Sequence, residues 1–409
     1  MQHFFSSDEK YLHSSSSTRL SDMMSIPDLF RCPISLDLFT DPVTLSTGQT
    51  YDRPFIEKWL ADGNLTCPVT MQRLEDTSLV PNHTLRHFIG WWLLAGPAAN
   101  SQRRKSIDLG QFSFSALKRN LQSPEVDTET KLESLKKIRT LLVESDVGQT
   151  YLTQLGFFPL LLQFLLQSPL IVNAEDLAEL GLECILRLLP SADLNSANII
   201  KNETNLGQLV LLLEQGNTNV QTGLCSLIES IALPVKNREL CLLMGQSHRL
   251  LQVLVSLLYQ TISDAAVRAI SAICTVEANR ETVVKAGGVD GLICYLSGSG
   301  GGNSSRALAT LEALLQSEIG KKAALKNSGA IVVLVKNVFR VSSNLEGSEC
   351  AIGSLLAVCG SSAWARAEAV SSGVVTQLLL LIQSQCSVEA KARARVLLKL
   401  FRFLWAEDE

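Results

Sequence analysis

The sequence predicts a mainly α protein: a small α+β unit rich in loops, followed by a long α-solenoid. Three observations carry this reading. Residues 26–95 are dense in turn formers, with Pro27, Pro33, Pro42, Gly48, Pro54, Gly63, Pro68 and Pro81, and their helical signals are brief. From about residue 116 the text turns helical, and a glycine recurs just ahead of a leucine-rich run at Gly156, Gly207, Gly245, Gly287, Gly329 and Gly373, with gaps of 51, 38, 42, 42 and 44 residues. Finally, the phrase Cys-Pro-[Ile/Val]-[Ser/Thr] at residue 32 returns at residue 67, an offset of 35.

Residues 1–25 are Ser-rich and without period, including Ser14 to Ser17, and read as a disordered tail. In the unit from 26 to 95, Pro54 to Ala61 and Thr84 to Leu94 read as helices, Pro54 lying near a helix start. Between the Cys-Pro phrases, Thr47-Gly48-Gln49-Thr50-Tyr51 suits a hairpin with Gly48 at its bend. Phe39, Val43, Leu60, Leu74, Leu79 and Leu85 are assigned to its core. Residues 96–115 read as a linker. It carries Arg103-Arg104-Lys105-Ser106, for which a weak nuclear signal is the alternative to a solvated stretch.

Residues 116–409 read as the solenoid. A period of about 43 residues suits two- or three-helix repeats. The second half of each unit repeats too, as in Leu182-Glu183-Cys184-Ile185-Leu186, Ala266-Val267-Arg268-Ala269-Ile270 and Arg306-Ala307-Leu308-Ala309-Thr310-Leu311. One helix pair cannot bury its apolar face alone, so neighbours stack and share a core. The recurring glycines are expected at sharp turns where a Cβ would clash. Lys391, Arg393, Arg395, Lys399 and Arg402 on the last helix read as a polar cap over the open end of the stack.

Composition excludes several classes. With 36 Lys+Arg against 40 Asp+Glu, the formal charge of −4 supplies no global basic field, so no nucleic-acid partner is expected. No stretch reaches 18 uninterrupted apolar residues, and no stable membrane insertion is expected. None of the ten cysteines forms a C-x-x-C pair. Most lie in apolar helical stretches, where a free thiol behaves as a small hydrophobe. The expected setting is cytoplasmic, with the nucleus left open by the basic linker residues.

The Cys-Pro echo implies two equivalent loops packed side by side around a helix and a hairpin. Zinc needs four ligands, and each loop offers one cysteine with Ser35 or Thr70 three residues on, so no metal is expected. Ser35, Asp41, Thr50, Asp52, Glu57, Thr70 and Asn82 are the candidates to brace the loops by hydrogen bonds instead. Charged pairs of Asp52 or Glu57 with Arg53 or Lys58 stay open.

Phe30-Arg31-Cys32-Pro33-Ile34-Ser35, Asp41-Pro42-Val43, Gly48-Gln49-Thr50-Tyr51-Asp52-Arg53, Ile56-Glu57-Lys58-Trp59-Leu60, Cys67-Pro68-Val69-Thr70 and Pro81-Asn82-His83-Thr84-Leu85 stand in the order found in U-box domains. Residues 26–93 thus resemble a U-box, a RING-like fold that has exchanged zinc for hydrogen bonds. The solenoid resembles armadillo repeats, as in Ala286-Gly287-Gly288-Val289 and Ser328-Gly329-Ala330-Ile331. Together the chain resembles the plant U-box ubiquitin ligases with armadillo repeats. The resemblance implies an E3 ubiquitin ligase of the RING type, without cofactor and without a covalent intermediate. Its partners would be a ubiquitin-conjugating enzyme carrying ubiquitin as a thioester, and a protein substrate held in the groove of the repeats. A homodimer through the U-box stays open: Trp91 and Trp92 could seal the domain or a self-interface, with packing inside the domain expected for at least one of them. The surface for the conjugating enzyme maps onto Ile34, Leu36, Trp59, Pro68 and Val69. Many U-boxes carry Arg just after the second Pro-Val-Thr; here Met71 stands there, and Arg73 is the alternative residue to orient ubiquitin. The competing reading is a non-catalytic armadillo adaptor with a docking-only U-box.

Overall fold

The computed structural model describes residues 26–95, 114–144, 146–167, 174–233, 237–298, 302–339 and 347–405. The Ser-rich tail and the basic linker residues expected above lie outside them. In the first part a 3-10 turn, Asp28–Phe30, precedes a three-residue strand, β1 (Pro42–Thr44), which pairs antiparallel with β2 (Thr50–Asp52). Gly48, with φ of 79°, turns the chain between them, a left-handed conformation that glycine adopts without steric cost. Helix α1 (Arg53–Ala61) follows directly, with Pro54 in its first turn where a missing N–H costs nothing. Strand β3 (Val80–Pro81) pairs antiparallel with the other side of β1, giving the order β2-β1-β3. Helix α2 (His83–Ala95) closes the unit.

Cys32, Phe39, Val43, Tyr51, Ile56, Cys67, Leu74 and Ile89 form the core of this part. Leu60, Leu79 and Leu85, assigned to the core from sequence, are only half-buried. Trp92 lies 5.6 Å from Phe30, ring centroid to ring centroid, so this indole packs inside its own unit. The chain divides into two bodies, and the first includes more than the short-stranded unit: residues up to Asn120 and Thr140–Leu155 belong to it. Most of helix α3 (Phe114–Gln122), which begins inside the expected linker, and the end of α4 (Thr128–Glu144) are therefore part of it. So is α5 (Asp146–Gln154). Phe114 meets the fully buried Tyr151 edge-on at 5.4 Å.

The rest is a solenoid of three-helix units. It begins with α6 (Phe157–Gln167) and α7 (Ala174–Leu188). The next unit is a 3-10 segment, Leu194–Lys201, then α8 (Glu203–Gln215) and α9 (Thr218–Ala232). Then come α10 (Arg238–Gln246), α11 (His248–Leu257) and α12 (Ser263–Cys274). They are followed by α13 (Arg280–Lys285), α14 (Gly288–Ser297) and α15 (Ser304–Leu314). Last are α16 (Glu318–Lys326), α17 (Ala330–Lys336) and α18 (Ser348–Ser361), and α19 (Ala363–Ser371), α20 (Val374–Gln383) and α21 (Val388–Trp405). Each third helix packs on the third helix of the next unit, from α7 through α9, α12, α15 and α18 to α21. The second helices stack in the same order.

The second helices start at 157, 203, 248, 288, 330 and 374, so the true steps are 46, 45, 40, 42 and 44 residues. The sequence-based spacing of 51 and 38 was irregular because two of the six glycines do not stand at the junction. Gly156, Gly287 and Gly373 do, with φ of 77°, 92° and 83°. Gly207 is inside α8, and the junction there is Asn202, whose side chain caps the helix by accepting from the Thr204 N–H at 3.0 Å. Gly245 is inside α10, and Ser247 caps α11. Gly329 precedes α17 in an ordinary right-handed conformation. The role of Gly245 is close approach. A Cβ built there would lie 2.0 Å from the Asn279 side chain. Asn279 is fully buried and donates to the carbonyls of Cys241 at 3.0 Å and Ile273 at 3.1 Å, so it ties one unit to the next.

Side chains on the third helices add a second tie. Glu229 pairs with Arg268 at 2.9 Å and with Arg306, linking α9, α12 and α15. Arg393 turns to Glu312 of α15 at 2.6 Å rather than joining the polar cap; Arg395, Lys399 and Arg402 are exposed. No single helix among the described residues is long and apolar enough to cross a membrane. Helix α6, apolar along most of its length, is buried in the solenoid. Substituting Gly245→Ala forces Asn279 out of its place. The solenoid's unfolding free energy in urea should fall by about 1–3 kcal/mol, the usual cost of overpacking, while a Gly207→Ala control, with open space around it, should not fall.

Candidate functional site

The 35-residue echo is a geometric repeat. In the first loop the Cys32 N–H donates to the Asp37 carbonyl and the Leu36 N–H to the Cys32 carbonyl, both at 2.8 Å. In the second, the Cys67 N–H donates to the Gln72 carbonyl and the Met71 N–H to the Cys67 carbonyl, both at 2.9 Å. Each loop is closed by one isolated bridge, Arg31 to Leu38 and Thr66 to Arg73. Each carries a left-handed residue that is not glycine, Leu36 with φ of 62° and Met71 with φ of 57°. That conformation costs about 1–2 kcal/mol for an L side chain, so the surroundings must hold it.

They do so from β2, whose neighbouring residues point to opposite faces. Asp52 is 3% exposed, and its carboxylate accepts from the Thr40 N–H at 2.9 Å, the Thr40 hydroxyl at 2.7 Å and the Asp41 N–H at 2.6 Å. Its own N–H donates to the Cys32 sulfur at 3.3 Å. Tyr51 is fully buried and faces the second loop. Its hydroxyl accepts from the Val69 N–H at 3.1 Å and lies 2.9 Å from the Cys67 sulfur. Thr47 donates to the same sulfur at 3.4 Å. Burial by itself pushes the Cys67 thiol up; hydrogen bonds from Thr47, Thr70 and Tyr51 outweigh it and bring it down to about 6. Tyr51 moves the other way, raised above its ordinary 10.0 first by burial and then by its bond to Cys67. In the solenoid burial dominates, and it pushes the thiols of Cys184, Cys225, Cys274 and Cys359 up to about 12.

The other candidates for bracing divide. Asp41 accepts from Arg53 Nε at 2.6 Å and pairs with Arg86 of α2, joining both helices to the first loop. Asn82 caps α2 by accepting from the Leu85 N–H at 3.0 Å and donates to Thr50 at 3.3 Å. Thr50 and Thr44 are 3.1 Å apart across the hairpin. Ser35 and Thr70 act only within their own loops, accepting from the N–H groups of Asp37 at 3.3 Å and Gln72 at 3.5 Å. Glu57 is exposed and reaches the cluster only through Arg53, at 3.6 Å. Asp52 takes amide and hydroxyl donors in place of the cation considered from sequence. Sequence reasoning omitted Tyr51, Thr40, Arg86 and the sulfurs of Cys32 and Cys67 from the network. Strand alternation next to Asp52 was the available signal for Tyr51.

At the loop tips Leu36 is 66% exposed, Val69 51% and Met71 70%. Ile34 and Pro68 are half-buried. Trp59 of α1 is half-buried as well, its ring N–H donating to the Thr66 carbonyl at 2.8 Å, which ties the helix to the start of the second loop. Arg73 is exposed. The loops therefore present aliphatic side chains to solvent on a backbone braced from behind.

Replacing Asp52 by Ala leaves two N–H donors and a hydroxyl without an acceptor. The cost should be about 3 kcal/mol or more, read as loss of the unit's cooperative transition by circular dichroism and limited proteolysis. The Cys67 thiol, ionising below its ordinary 9.0, contributes stability that is full above that ordinary value and is lost as pH falls through about 6. Thiolate ultraviolet absorbance of the folded chain should therefore show a step near pH 6 that Cys67→Ser removes.

The U-box domain profile matches residues 26–96, and the plant U-box protein ARM repeat region profile matches residues 114–409. U-box domain-containing protein 26 of Arabidopsis thaliana is 32% identical over 398 residues, covering 94% of each chain. E3 ubiquitin-protein ligase PUB23 of the same plant is 28% identical over 403 residues, covering 95% of this chain and 96% of its own. Among solved structures an engineered protein superposes with a TM-score of 0.56 at 21% identity, covering 72% of this chain and 69% of its own, a likeness of fold alone. With braced twin loops in its first unit and stacked helical repeats in its second, the chain belongs to the plant U-box proteins with an ARM repeat region.

Proposed function

We propose that the chain is an E3 ubiquitin ligase whose U-box recruits a ubiquitin-conjugating enzyme and whose repeats hold the protein substrate. The observation that carries this is the pair of braced loops with Leu36 and Val69 exposed at their tips, in a chain that matches the U-box and relatives named as E3 ubiquitin-protein ligases. A compact set of exposed aliphatic side chains beside a half-exposed Trp is the usual form of an interface anchor. Rigid backing matters because a loop that must be ordered on binding gives up part of its contact energy.

The reaction needs no nucleophile from this chain. A substrate lysine amine attacks the thioester carbonyl carbon of the bound conjugating enzyme, a C–N bond forms, the C–S bond breaks, and the conjugating enzyme's thiolate leaves while the amine nitrogen gives up one proton to solvent. The ligase contributes proximity and orientation. Cys32 and Cys67 are fully buried and committed to the loop braces, which suits this division of labour. On the repeats, the substrate surface is the face of the third helices left uncovered by the stack, where the Glu229, Arg268 and Arg306 set lies.

Met71 favours the competing reading of a docking-only adaptor, since it places an apolar side chain on the left-handed tip where many U-boxes carry Arg. In the ligase reading the exposed Arg73, two residues on, takes over the steadying of ubiquitin. A discharge assay, in which charged conjugating enzyme loses ubiquitin to free lysine, separates the readings. The ligase should accelerate discharge, Ile34→Ala should lower the rate more than about tenfold, and Arg73→Ala should lower it with conjugating-enzyme affinity retained. Binding without acceleration across a broad panel of conjugating enzymes would establish the adaptor.

A further inference from the structure

We infer that Tyr51 is a positioning residue for recruitment of the conjugating enzyme, acting through the Val69 backbone rather than through contact with the partner. The inference rests on the loop-tip reading above. Three observations support it. First, Tyr51 is fully buried, so no partner reaches its ring. Second, its hydroxyl bridges the second loop's backbone and the Cys67 sulfur. The Val69 N–H donates to the Tyr51 oxygen at 3.1 Å, and the same hydroxyl lies 2.9 Å from the Cys67 sulfur. The depressed thiol of Cys67 agrees with a sulfur that accepts, which leaves the phenol oxygen free to take the amide. Third, the held residue is the exposed tip itself. Val69 lies in the short stretch between Cys67 and Met71, whose left-handed turn is otherwise closed by bonds within the loop.

The two loops are held unequally. The first is braced by Asp52 at Thr40 and Asp41, beyond its tip. The second is braced at its tip, by one hydroxyl. Removing that hydroxyl frees the Val69 amide and lets the Pro68-Val69 segment move, without changing what the segment displays. A recruitment surface with the right side chains and a looser backbone binds its partner more weakly but turns over normally once occupied.

The experiment uses the full chain, with ubiquitin-charged conjugating enzymes from a panel and free lysine as acceptor. Tyr51→Phe should raise KM for the charged enzyme roughly five- to tenfold, the equivalent of one hydrogen bond, and leave kcat within about twofold. Amide hydrogen exchange should quicken in the peptide spanning residues 68–73 and stay unchanged across α1 and α2. Thr47→Val, which removes the other hydroxyl from Cys67 and leaves Val69 held, should change neither KM nor exchange at 68–73. An unchanged KM in Tyr51→Phe overturns the inference. So does faster exchange throughout residues 26–95, which would make Tyr51 a core residue like any other. Ile34→Ala runs alongside. If it keeps full activity, the loop-tip reading fails and takes the inference with it; if it is inactive while Tyr51→Phe matches the parent, the inference fails and the reading stands.

Discussion

A buried carboxylate with its lone pairs filled holds the N-terminal part of this protein together. Asp52 accepts three hydrogen bonds from two consecutive residues of the first loop and gives its own N–H to the sulfur of Cys32. An ionised carboxylate in a protein interior is expensive unless such donors surround it. Once they do, each becomes dependent on the others, and the loop, the strand and the start of α1 order as one. Asp41 extends the same logic outward, taking Arg53 from α1 and Arg86 from α2. The sheet is only three strands of two or three residues each, too little ladder to be stable by itself. The polar network supplies what the ladder and the small core lack.

The solenoid solves a different problem with different means. Its stability comes from continuous apolar burial along stacked second and third helices. Polar groups enter at the joints: Asn279 bonding two carbonyls of the preceding unit, and Glu229 joining three successive third helices. The thiols follow this contrast. Buried thiols of the solenoid such as Cys184 and Cys225 are pushed up, whereas Cys67 lies under hydroxyl donors and is brought down to about 6. The same residue type is filler in one part and a hydrogen-bond acceptor in the other.

Loop tips and braces divide the work of recognition. Leu36 and Val69 are exposed on backbones that their own side chains do little to hold, and the holding is done by Tyr51 and Asp52 from behind. Specificity can then vary at the tips while the frame stays constant. Met71 is such a variation: it occupies the same left-handed position in the second loop that Leu36 occupies in the first, so the backbone geometry is independent of which side chain the tip displays.

Features with a local or periodic cause were legible in the sequence. Burial of a helix face repeats every turn and every unit, so the solenoid, its period and the third-helix phrases could be read from residues 116–409, and the echo at 32 and 67 announced two equal loops. Glycine proved ambiguous, because the same residue serves a left-handed cap at Gly287, a close approach at Gly245 and an ordinary helix interior at Gly207. Partner choice was beyond the sequence's reach. That Asp52 would take amide and hydroxyl donors rather than a cation, that Arg393 would reach back to Glu312, and that Tyr51 would hold Val69 are matters of distance between segments far apart in the chain. Hydrogen bonds and ion pairs act over about 3–4 Å and leave no period behind, so only the folded arrangement decides them.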